Sequence, residues 1–308
     1  MNPSSAKTCA ICGGGRLALT LSTARLAVNV CRGCGYAAAT HAADPGLRDY
    51  HAQYDQDLFL PALRATRERQ AKLIISLIRR NLPDADSLFD YGHGRGWFLK
   101  ACQASGFKHL GGADSSGMAM QWLREQGFSE FGVDADGAVG APLFKPQVLT
   151  ILDVLEHFEP EKSRVLLKNM IASLAPELQL VVIKVPLTDG VLYRTALALS
   201  RLRFFGPIHQ LYQVGTHPPH VGYFSGHAMR AFLNRAGLTV VDSIGDCEFE
   251  PEYFPDRVAP LRHFPKWVGS ALGRGIRLSA KAFGRHETMV FIARPQKSAL
   301  QPTHGSRE

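Results

Sequence analysis

Between Pro83 and residue 295, short apolar runs alternate with segments whose apolar residues recur at helical spacing. This alternation is typical of an α/β fold, because each helix packs against a mostly parallel sheet. The predicted strands are residues 87–91, 109–113, 130–133, 147–152, 179–185, 238–244 and 287–293. The predicted helices are residues 63–82, 96–105, 117–126, 161–174, 226–236 and, in pieces, 265–283. Residues 187–223 interrupt the alternation, and we expect an insertion over the carboxyl edge of the sheet, where such sheets bind ligands.

Composition and charge narrow the protein class. The 308 residues are 45% apolar and 20% charged, which suits a globular core and excludes a disordered or fibrous chain. No apolar signal segment opens the sequence and no run of 18 apolar residues predicts a membrane span, so we expect a cytoplasmic location. The net charge is +8, and neither residues 191–235 nor residues 257–286 contain a carboxylate. Such basic patches suit an anionic partner, whether phosphate, nucleic acid or lipid headgroup.

Four cysteines near the amino terminus have the spacing of a metal site. Cys9, Cys12, Cys31 and Cys34 form a C-x2-C-x18-C-x2-C pattern. Each C-x-x-C turn directs two thiolates to one point, and a hairpin between the turns brings four sulfurs around a Zn²⁺ ion. The alternatives are reduced thiols or two disulfides, and a reducing compartment disfavours disulfides. Because four sulfurs leave no coordination position open, we predict a structural zinc.

A glycine-rich turn follows the first predicted strand of the sheet. Gly92, Gly94 and Gly96 lie where the chain turns from strand to helix, and glycines there let a ligand approach the backbone. The dinucleotide-binding pattern requires glycine where Trp97 stands, which argues against an oxidoreductase. Asp114 ends the second strand, where a carboxylate can accept both hydroxyls of a ribose, although it could also cap the next helix. The pattern favours a ligand that contains adenosine.

These motifs together resemble those of class I S-adenosylmethionine-dependent methyltransferases. The motifs are Asp-Tyr-Gly-His-Gly-Arg-Gly at residues 90–96, Asp114, Ile-Leu-Asp-Val-Leu-Glu-His at 151–157, Pro-His-Val-Gly-Tyr-Phe-Ser at 219–225 and the segment 229–238. The sequence is most similar to the group that contains ubiquinone-biosynthesis O-methyltransferases and sugar methyltransferases. Some members of that group carry an N-terminal zinc-binding segment. The resemblance covers about residues 60–295.

The resemblance implies a Rossmann-like, seven-stranded methyltransferase sheet whose last strand, residues 287–293, runs antiparallel to the others. It also implies S-adenosylmethionine as the cofactor, with Asp90 and the Gly92 loop near its methionine portion and Asp114 on its ribose. Asp136, in competition with Asp134, is predicted to meet the adenine amino group. The full predicted cofactor-binding set is Asp90, Gly92, Gly94, Gly96, Asp114, Asp136 and Asp153.

The predicted domain organisation follows from the cysteine pattern and the resemblance. It comprises a zinc ribbon at residues 1–40, a linker and leading helix at 41–85, the methyltransferase domain with its insertion at 86–295, and a flexible tail at 296–308.

Two residues depart from the family's usual glycine loop. His93 stands where a small residue or cysteine is usual, and Arg95 where serine or threonine is usual. These larger side chains are expected to crowd the loop. A non-catalytic interaction protein with a degenerate cofactor loop is therefore an alternative interpretation.

The predicted methyl transfer requires alignment of the donor with the acceptor, and some acceptors also require a base. Methyl transfer from a sulfonium is an in-line displacement, and an acceptor hydroxyl or acidic C–H must also lose a proton. Histidine is the usual base near neutral pH, and the candidates are His220, His157 and then His217, with Tyr223 nearby as a further catalytic residue. The alternative for each histidine is a structural hydrogen bond to a loop carbonyl.

The acceptor is predicted only by class. Residues 191–205 and 264–281 mix apolar and basic side chains, which suits a lid over the sheet, phosphate groups of a nucleotide sugar, or peripheral contact with an anionic membrane surface. We expect a small-molecule, glycan or lipid-precursor acceptor. An RNA methyltransferase is the alternative, but the ribbon lacks the aromatic residues of a nucleic-acid stacking platform. The sequence leaves the oligomeric state open.

Overall fold

The computed structural model describes residues 8–43, 48–49, 59–141, 143–258 and 263–296. Most of the predicted linker and almost all of the predicted tail lie outside these described residues. The elements in chain order are β1 (Leu17–Ser22), β2 (Leu26–Cys31), β3 (Ala37–His41), β4 (Arg48–Asp49), α1 (Phe59–Asn81), β5 (Ser87–Tyr91), α2 (Trp97–Ala104), β6 (His109–Ala113), α3 (Gly117–Glu125), β7 (Ser129–Glu130), β8 (Val148–Leu152), α4 (Pro160–Leu174), β9 (Leu180–Pro186), α5 (Val191–Arg201), α6 (Gly206–Leu211), β10 (Thr216–His217), β11 (Gly222–Tyr223), α7 (Gly226–Arg235), β12 (Leu238–Asp246), α8 (Phe254–Arg257), α9 (Lys266–Phe283) and β13 (Thr288–Pro295). Short 3₁₀ turns lie at Leu155–His157 and Pro251–Tyr253.

The predicted seven-stranded sheet is confirmed, in the order β12-β13-β9-β8-β5-β6-β7. Strands β9, β8, β5, β6 and β7 pair in parallel, whereas β13 pairs antiparallel with both β9 and β12. The predicted antiparallel last strand is therefore confirmed. Segment 265–283, predicted in pieces, is a single helix, and the strand predicted at 130–133 is the two-residue β7.

Alternate residues of the central strands pack on opposite faces of the sheet. Leu88 and Val148 face the layer that contains α1, with Ile74 and Leu77, whereas their neighbours in β5 and β8 face the other layer. That second layer is formed mainly by α4 and α7. Both faces are covered, which explains why β8 and β9 are nearly continuous apolar runs.

The amino-terminal strands form a second, antiparallel sheet in the order β1-β2-β3-β11. Its fourth strand comes from the segment predicted as an insertion, because Gly222 and Tyr223 pair with Ala38 and Ala37. The insertion segment also contains helices α5 and α6. The ribbon is thus bonded directly to the residues that follow His220. Within the described residues, no helix is long and apolar enough to cross a bilayer.

Candidate functional site

The four amino-terminal cysteines meet at one point. Their sulfur atoms all lie within 4.8 Å of one another, with 3.7 Å between Cys9 and Cys34 and 3.8 Å between Cys12 and Cys31. A tetrahedral site with Zn–S bonds of about 2.3 Å has sulfur–sulfur distances of about 3.8 Å, so the cluster has the dimensions of a zinc site. All four cysteines are free thiols, which sets aside the disulfide alternative.

Several positions in the turns around these cysteines require glycine. A Cβ on Gly15 would lie 2.3 Å from Cys31 Sγ, and Gly13 and Gly35 both have φ of 76°. Burial raises the pKa of Cys12, but hydrogen bonds from the N–H groups of Gly14 and Gly15 and from Cys34 and Cys31 outweigh it and lower that pKa to about 6. These residues fit a structural zinc bound by Cys9, Cys12, Cys31 and Cys34.

The glycine loop connects β5 to α2 and is hydrogen-bonded to the end of β6. Gly92, Gly94 and Gly96 all have positive φ, and a Cβ on Gly96 would lie 1.7 Å from the Trp122 ring. The Gly94 N–H donates to Asp114 Oδ2 at 2.8 Å, and the Ser116 N–H donates to Asp114 Oδ1 at the same distance. Ser116, and not Asp114, is the N-cap of α3, where its hydroxyl accepts from the Ala119 N–H.

His93 is buried beside this loop. A Cβ on Gly112 would lie 2.7 Å from His93 Cδ2, so the glycine in β6 provides the space that the large imidazole needs. Both ring nitrogens lack a hydrogen-bond partner among the described residues, and burial lowers the pKa of His93. The imidazole is therefore neutral at pH 7.

Asp90 is a buried carboxyl group at the end of β5. It is 2% exposed and accepts a hydrogen bond of 2.6 Å from Thr150 Oγ1. Burial and the charge of Asp114 raise the pKa of Asp90 to about 7, although the hydrogen bond from Thr150 lowers it in part. A buried acid with this pKa next to a second carboxylate is typical of a site for a cationic ligand.

Asp90→Asn is expected to stabilise the unliganded protein above neutral pH. Because the folded-state pKa is raised, the carboxyl group lowers stability as pH rises from about 4 to about 7 and contributes its full penalty above that range. Asn can still accept from Thr150, so at pH 8 we expect a gain of about 2 kcal/mol, with an upper limit of about 4. Denaturant unfolding at pH 8 and pH 5 measures the gain in unfolding free energy over the wild type.

Asp86→Asn is the matched control, because Asp86 lies just before the same strand, its side chain is 41% exposed and its nearest ion-pair partner, Lys108, is 3.9 Å away. We expect it to change stability by less than about 0.5 kcal/mol. An Asp90→Asn gain that is equal at the two pH values would contradict the assigned titration.

Asp136 lies apart from the loop in its described contacts. It is exposed after β7, where its N–H donates to Asp134 Oδ1 and its carbonyl accepts from Asn169 of α4. Asp134 also accepts from the Ala138 N–H. Asp134 therefore caps the turn with its carboxylate, and Asp136 takes part through its backbone. The contact with adenine stays a prediction.

Asp153 belongs to a partly buried ion-pair network at the ends of β8 and β12, in which Lys184 is fully buried. Both of its carboxylate oxygens lie 2.7 Å from Lys184 Nζ, and Arg67 lies 2.5 Å from one of them. Glu248 completes the network, 2.8 Å from Lys184 and 2.9 Å from Arg67. Burial raises the pKa of Glu248, but Arg67, Lys184 and Arg257 outweigh it and hold that pKa far below its usual value. Asp153 is thus committed to two cations.

Lys184→Met is expected to destabilise the protein by about 3 kcal/mol, because it removes the cation that pairs with both Asp153 and Glu248. Lys184 is 1% exposed, and Asp153 and Glu248 are only 19% and 22% exposed, so water replaces little of the lost charge. Lys145→Met is the control: its pair with Glu177 is half exposed, and we expect at most about 1 kcal/mol. Equal losses of unfolding free energy in the two variants would show that the Lys184 network stabilises the protein no more than an exposed ion pair does.

Two predicted histidines lie together beyond the carboxyl end of β8. The ring centroids of His157 and His220 are 4.7 Å apart. His157 Nδ1 bonds the Pro219 carbonyl at 3.0 Å, and because a carbonyl only accepts, Nδ1 carries the proton. Burial lowers the pKa of both imidazoles, and for His220 the neighbouring His157 lowers it further. Both rings are therefore neutral at pH 7.

Tyr223 sets the tautomer of His220. The tyrosine hydroxyl donates to the Leu211 carbonyl at 2.9 Å and lies 3.2 Å from His220 Nδ1. Since its only proton is donated to Leu211, the hydroxyl accepts from His220 Nδ1, so the lone pair of the neutral ring is on Nε2. The His220 carbonyl in turn bonds His41 Nε2 of β3 at 2.8 Å. The ribbon thus holds the backbone of this histidine.

Glu156 completes the cluster. One ligand atom each of Glu156, His157 and His220 lie within 4.8 Å of one another, close enough to share a proton or a cation. Glu156 Oε2 is buried without a hydrogen-bond partner among the described residues, and burial raises the pKa of this carboxyl well above its usual value. His217, the third candidate base, is exposed in β10.

Sequence reasoning missed Lys184, Glu248 and Arg67. A signal for Lys184 was present, because it is the one charged residue in the apolar run of β9. Arg67 and Glu248 carry no comparable signal, since each lies among other charged residues.

Comparison with known proteins agrees with this architecture. A family model described as a methyltransferase domain matches residues 63–243, more than half of the chain. The chain therefore belongs to this methyltransferase family, and the family supports the predicted dependence on S-adenosylmethionine. No curated protein matches the sequence.

Solved structures of methyltransferases are similar in outline. The magnesium protoporphyrin IX methyltransferase from Synechocystis PCC 6803 with bound SAH is 14% identical, with 76% of this chain and 85% of that chain covered and a TM-score of 0.44. An S-adenosylmethionine-dependent methyltransferase from Clostridium acetobutylicum ATCC 824 is 11% identical, with 80% and 98% covered and a TM-score of 0.47. At these TM-scores the similarities add nothing to the family match.

Proposed function

We propose that this chain transfers a methyl group from S-adenosylmethionine to a small-molecule acceptor, with His220 as general base. The observation that carries the proposal is the half-buried pair of neutral imidazoles, His157 and His220, beyond the carboxyl end of β8. The glycine loop and Asp114 lie at the carboxyl ends of the adjacent strands β5 and β6. A donor and a base therefore share one edge of the sheet.

The residues at the loop fit the cofactor electrostatically. Asp90 and Asp114 repel each other strongly enough to contribute to the raised pKa of Asp90, so this end of the sheet has an excess of negative potential. S-adenosylmethionine carries a sulfonium and an ammonium group, and either cation relieves that repulsion. Asp90, Asp114 and the backbone of Gly92, Gly94 and Gly96 would hold it. When bound, it supplies an electrophilic methyl carbon and a neutral thioether leaving group.

His220 is suited to accept the acceptor's proton. Its Nε2 carries the lone pair of the ring, because Nδ1 donates its proton to the Tyr223 hydroxyl. Nε2 would accept the proton that the acceptor oxygen or carbon gives up when it is methylated. Tyr223 and the Leu211 carbonyl keep the imidazole in the correct tautomer. His157, held by Pro219, is the neighbouring neutral ring.

Calorimetry with S-adenosylmethionine and its demethylated product tests donor binding. We expect one site per chain, and then formation of the demethylated product with acceptors drawn from phenols, quinone precursors and nucleotide sugars. Absence of both heat and a thermal shift would favour a non-catalytic interaction protein. Tight RNA binding that weakens steeply with salt would favour the RNA methyltransferase instead.

A further inference from the structure

Several large apolar residues of helix α9 are exposed to solvent. Gly269, Gly273 and Ala280 are buried against the rest of the protein. Trp267 is 72% exposed and Leu278 is 67% exposed. An ordinary surface helix has the opposite arrangement, with large apolar residues inside and polar residues outside.

The glycines fix this orientation. A Cβ on Gly269 would lie 2.3 Å from Pro255 Cγ, and a Cβ on Gly273 would lie 2.9 Å from Phe254 Cβ. The inner face of α9 is therefore too close to Phe254 and Pro255 for any larger side chain. Rotation of the helix cannot bury Trp267 or Leu278, and both remain available to a partner.

The outward face combines an apolar stripe with positive charge. Trp267, Ala271, Leu278 and Ala282 follow one another at helical spacing, and all four are exposed. Arg274 and Lys281, seven and fourteen residues after Trp267, line one side of this stripe and are exposed too. No carboxylate occurs between residues 257 and 286. The partner must therefore be anionic and apolar at once.

We propose that the outward face of α9 binds the surface of a bilayer that contains anionic phospholipid. A single convex helix with Trp and Leu on its apolar stripe and basic residues beside it has the pattern of an interfacial helix. The basic residues meet the anionic headgroups while Trp267 and Leu278 enter the boundary with the acyl chains. A second copy of this chain is disfavoured, because the two basic faces would repel each other. The proposal does not depend on the methyl-transfer reaction.

Flotation of the full chain with lipid vesicles tests the proposal. We expect binding to phosphatidylcholine vesicles that contain about 30% phosphatidylglycerol and little binding to pure phosphatidylcholine. The double variant Arg274→Gln/Lys281→Gln should bind the anionic vesicles about 25-fold less, at roughly fivefold for each basic residue. The variant Trp267→Ser/Leu278→Ser should bind at least about tenfold less.

The matched control is Met118→Ser/Leu143→Ser. Met118 is 64% exposed and Leu143 is 80% exposed, but both lie outside α9. This control should bind like the wild type, and thermal unfolding of each variant verifies that it is folded. Because Trp267 is exposed, its fluorescence should also shift to shorter wavelength on binding, and a Trp267→Phe variant identifies that part of the signal.

Three outcomes would overturn the proposal. They are the absence of binding to anionic vesicles, equal binding of the wild type and both α9 variants, and equal binding to neutral and anionic vesicles. Dimerisation without lipid that is lost in Trp267→Ser/Leu278→Ser would assign the face to a second copy of the chain.

Discussion

His220→Asn is expected to lower the rate of methyl transfer by about 10²- to 10⁴-fold while affinity for S-adenosylmethionine stays within about twofold of the wild type. The asparagine amide can still donate to the Tyr223 hydroxyl, so the cluster keeps its hydrogen bond but loses the lone pair of His220 Nε2. Steady-state kinetics and calorimetry on the same preparation separate the two effects.

The pH profile of the wild-type enzyme provides a second readout. Burial and the neighbouring His157 hold the pKa of His220 well below its usual value, so the base is already neutral at pH 7. We therefore expect kcat/KM to be flat from about pH 7 upward and to fall only in acid, as the imidazole becomes protonated.

His227→Asn is the matched control for this prediction. His227 lies on α7, two residues after Ser225, but its side chain is exposed. It should leave the rate unchanged. A His220→Asn enzyme that retains the wild-type rate would exclude His220 as the base, whereas a loss of donor affinity equal to the loss of rate would show that the substitution disturbs the fold.

Loss of the predicted zinc site is expected to have the largest effect on the stability of the protein. Zinc binding to small cysteine sites stabilises them by roughly 10–16 kcal/mol. Burial, with neighbouring thiols of the cluster adding to it, raises the pKa of Cys9 and Cys34, so these thiols are poorly ionised without a cation. We expect one zinc per chain by elemental analysis. Cys31→Ser should lose the zinc and unfold at a temperature at least about 10 °C lower.

The ribbon should also transmit this loss to the histidine cluster. Ser225 Oγ donates to the Cys34 carbonyl, the Tyr36 ring packs against Phe224 with centroids 5.0 Å apart, and His41 bonds the His220 carbonyl. Cys31→Ser is therefore expected to lose methyl transfer as well as stability, although its glycine loop is unchanged.

Cys247→Ala is the control for the metal prediction. Cys247 is buried, but it lies after β12 in a separate apolar cluster with Phe249 and Phe254. This variant should keep one zinc and most of its activity. A wild-type protein without zinc, or a Cys31→Ser protein that unfolds at the wild-type temperature, would contradict a structural metal.

Local patterns in the sequence correctly predicted much of the fold. The α/β alternation predicted seven strands that all occur in one sheet, and the spacing of the four cysteines predicted their meeting. Both features depend on short segments, whose periodicity and turn geometry are set by neighbouring residues. The helix at 266–283 was predicted in pieces, because its glycines weaken the helical pattern although they pack against Phe254 and Pro255.

The composition of the candidate site depended on tertiary structure. His157 and His220 come from distant parts of the chain, and Asp153 meets Lys184 and Glu248 only because β8, β9 and the end of β12 converge. The sequence determined which strands and turns this protein forms, where its glycine loop lies and which cysteines can bind a metal. Only the tertiary structure decided which side chains share a buried environment, joined the ribbon to the segment after His220 and turned the apolar stripe of α9 outward. These outcomes depend on long-range packing, which no local periodicity encodes.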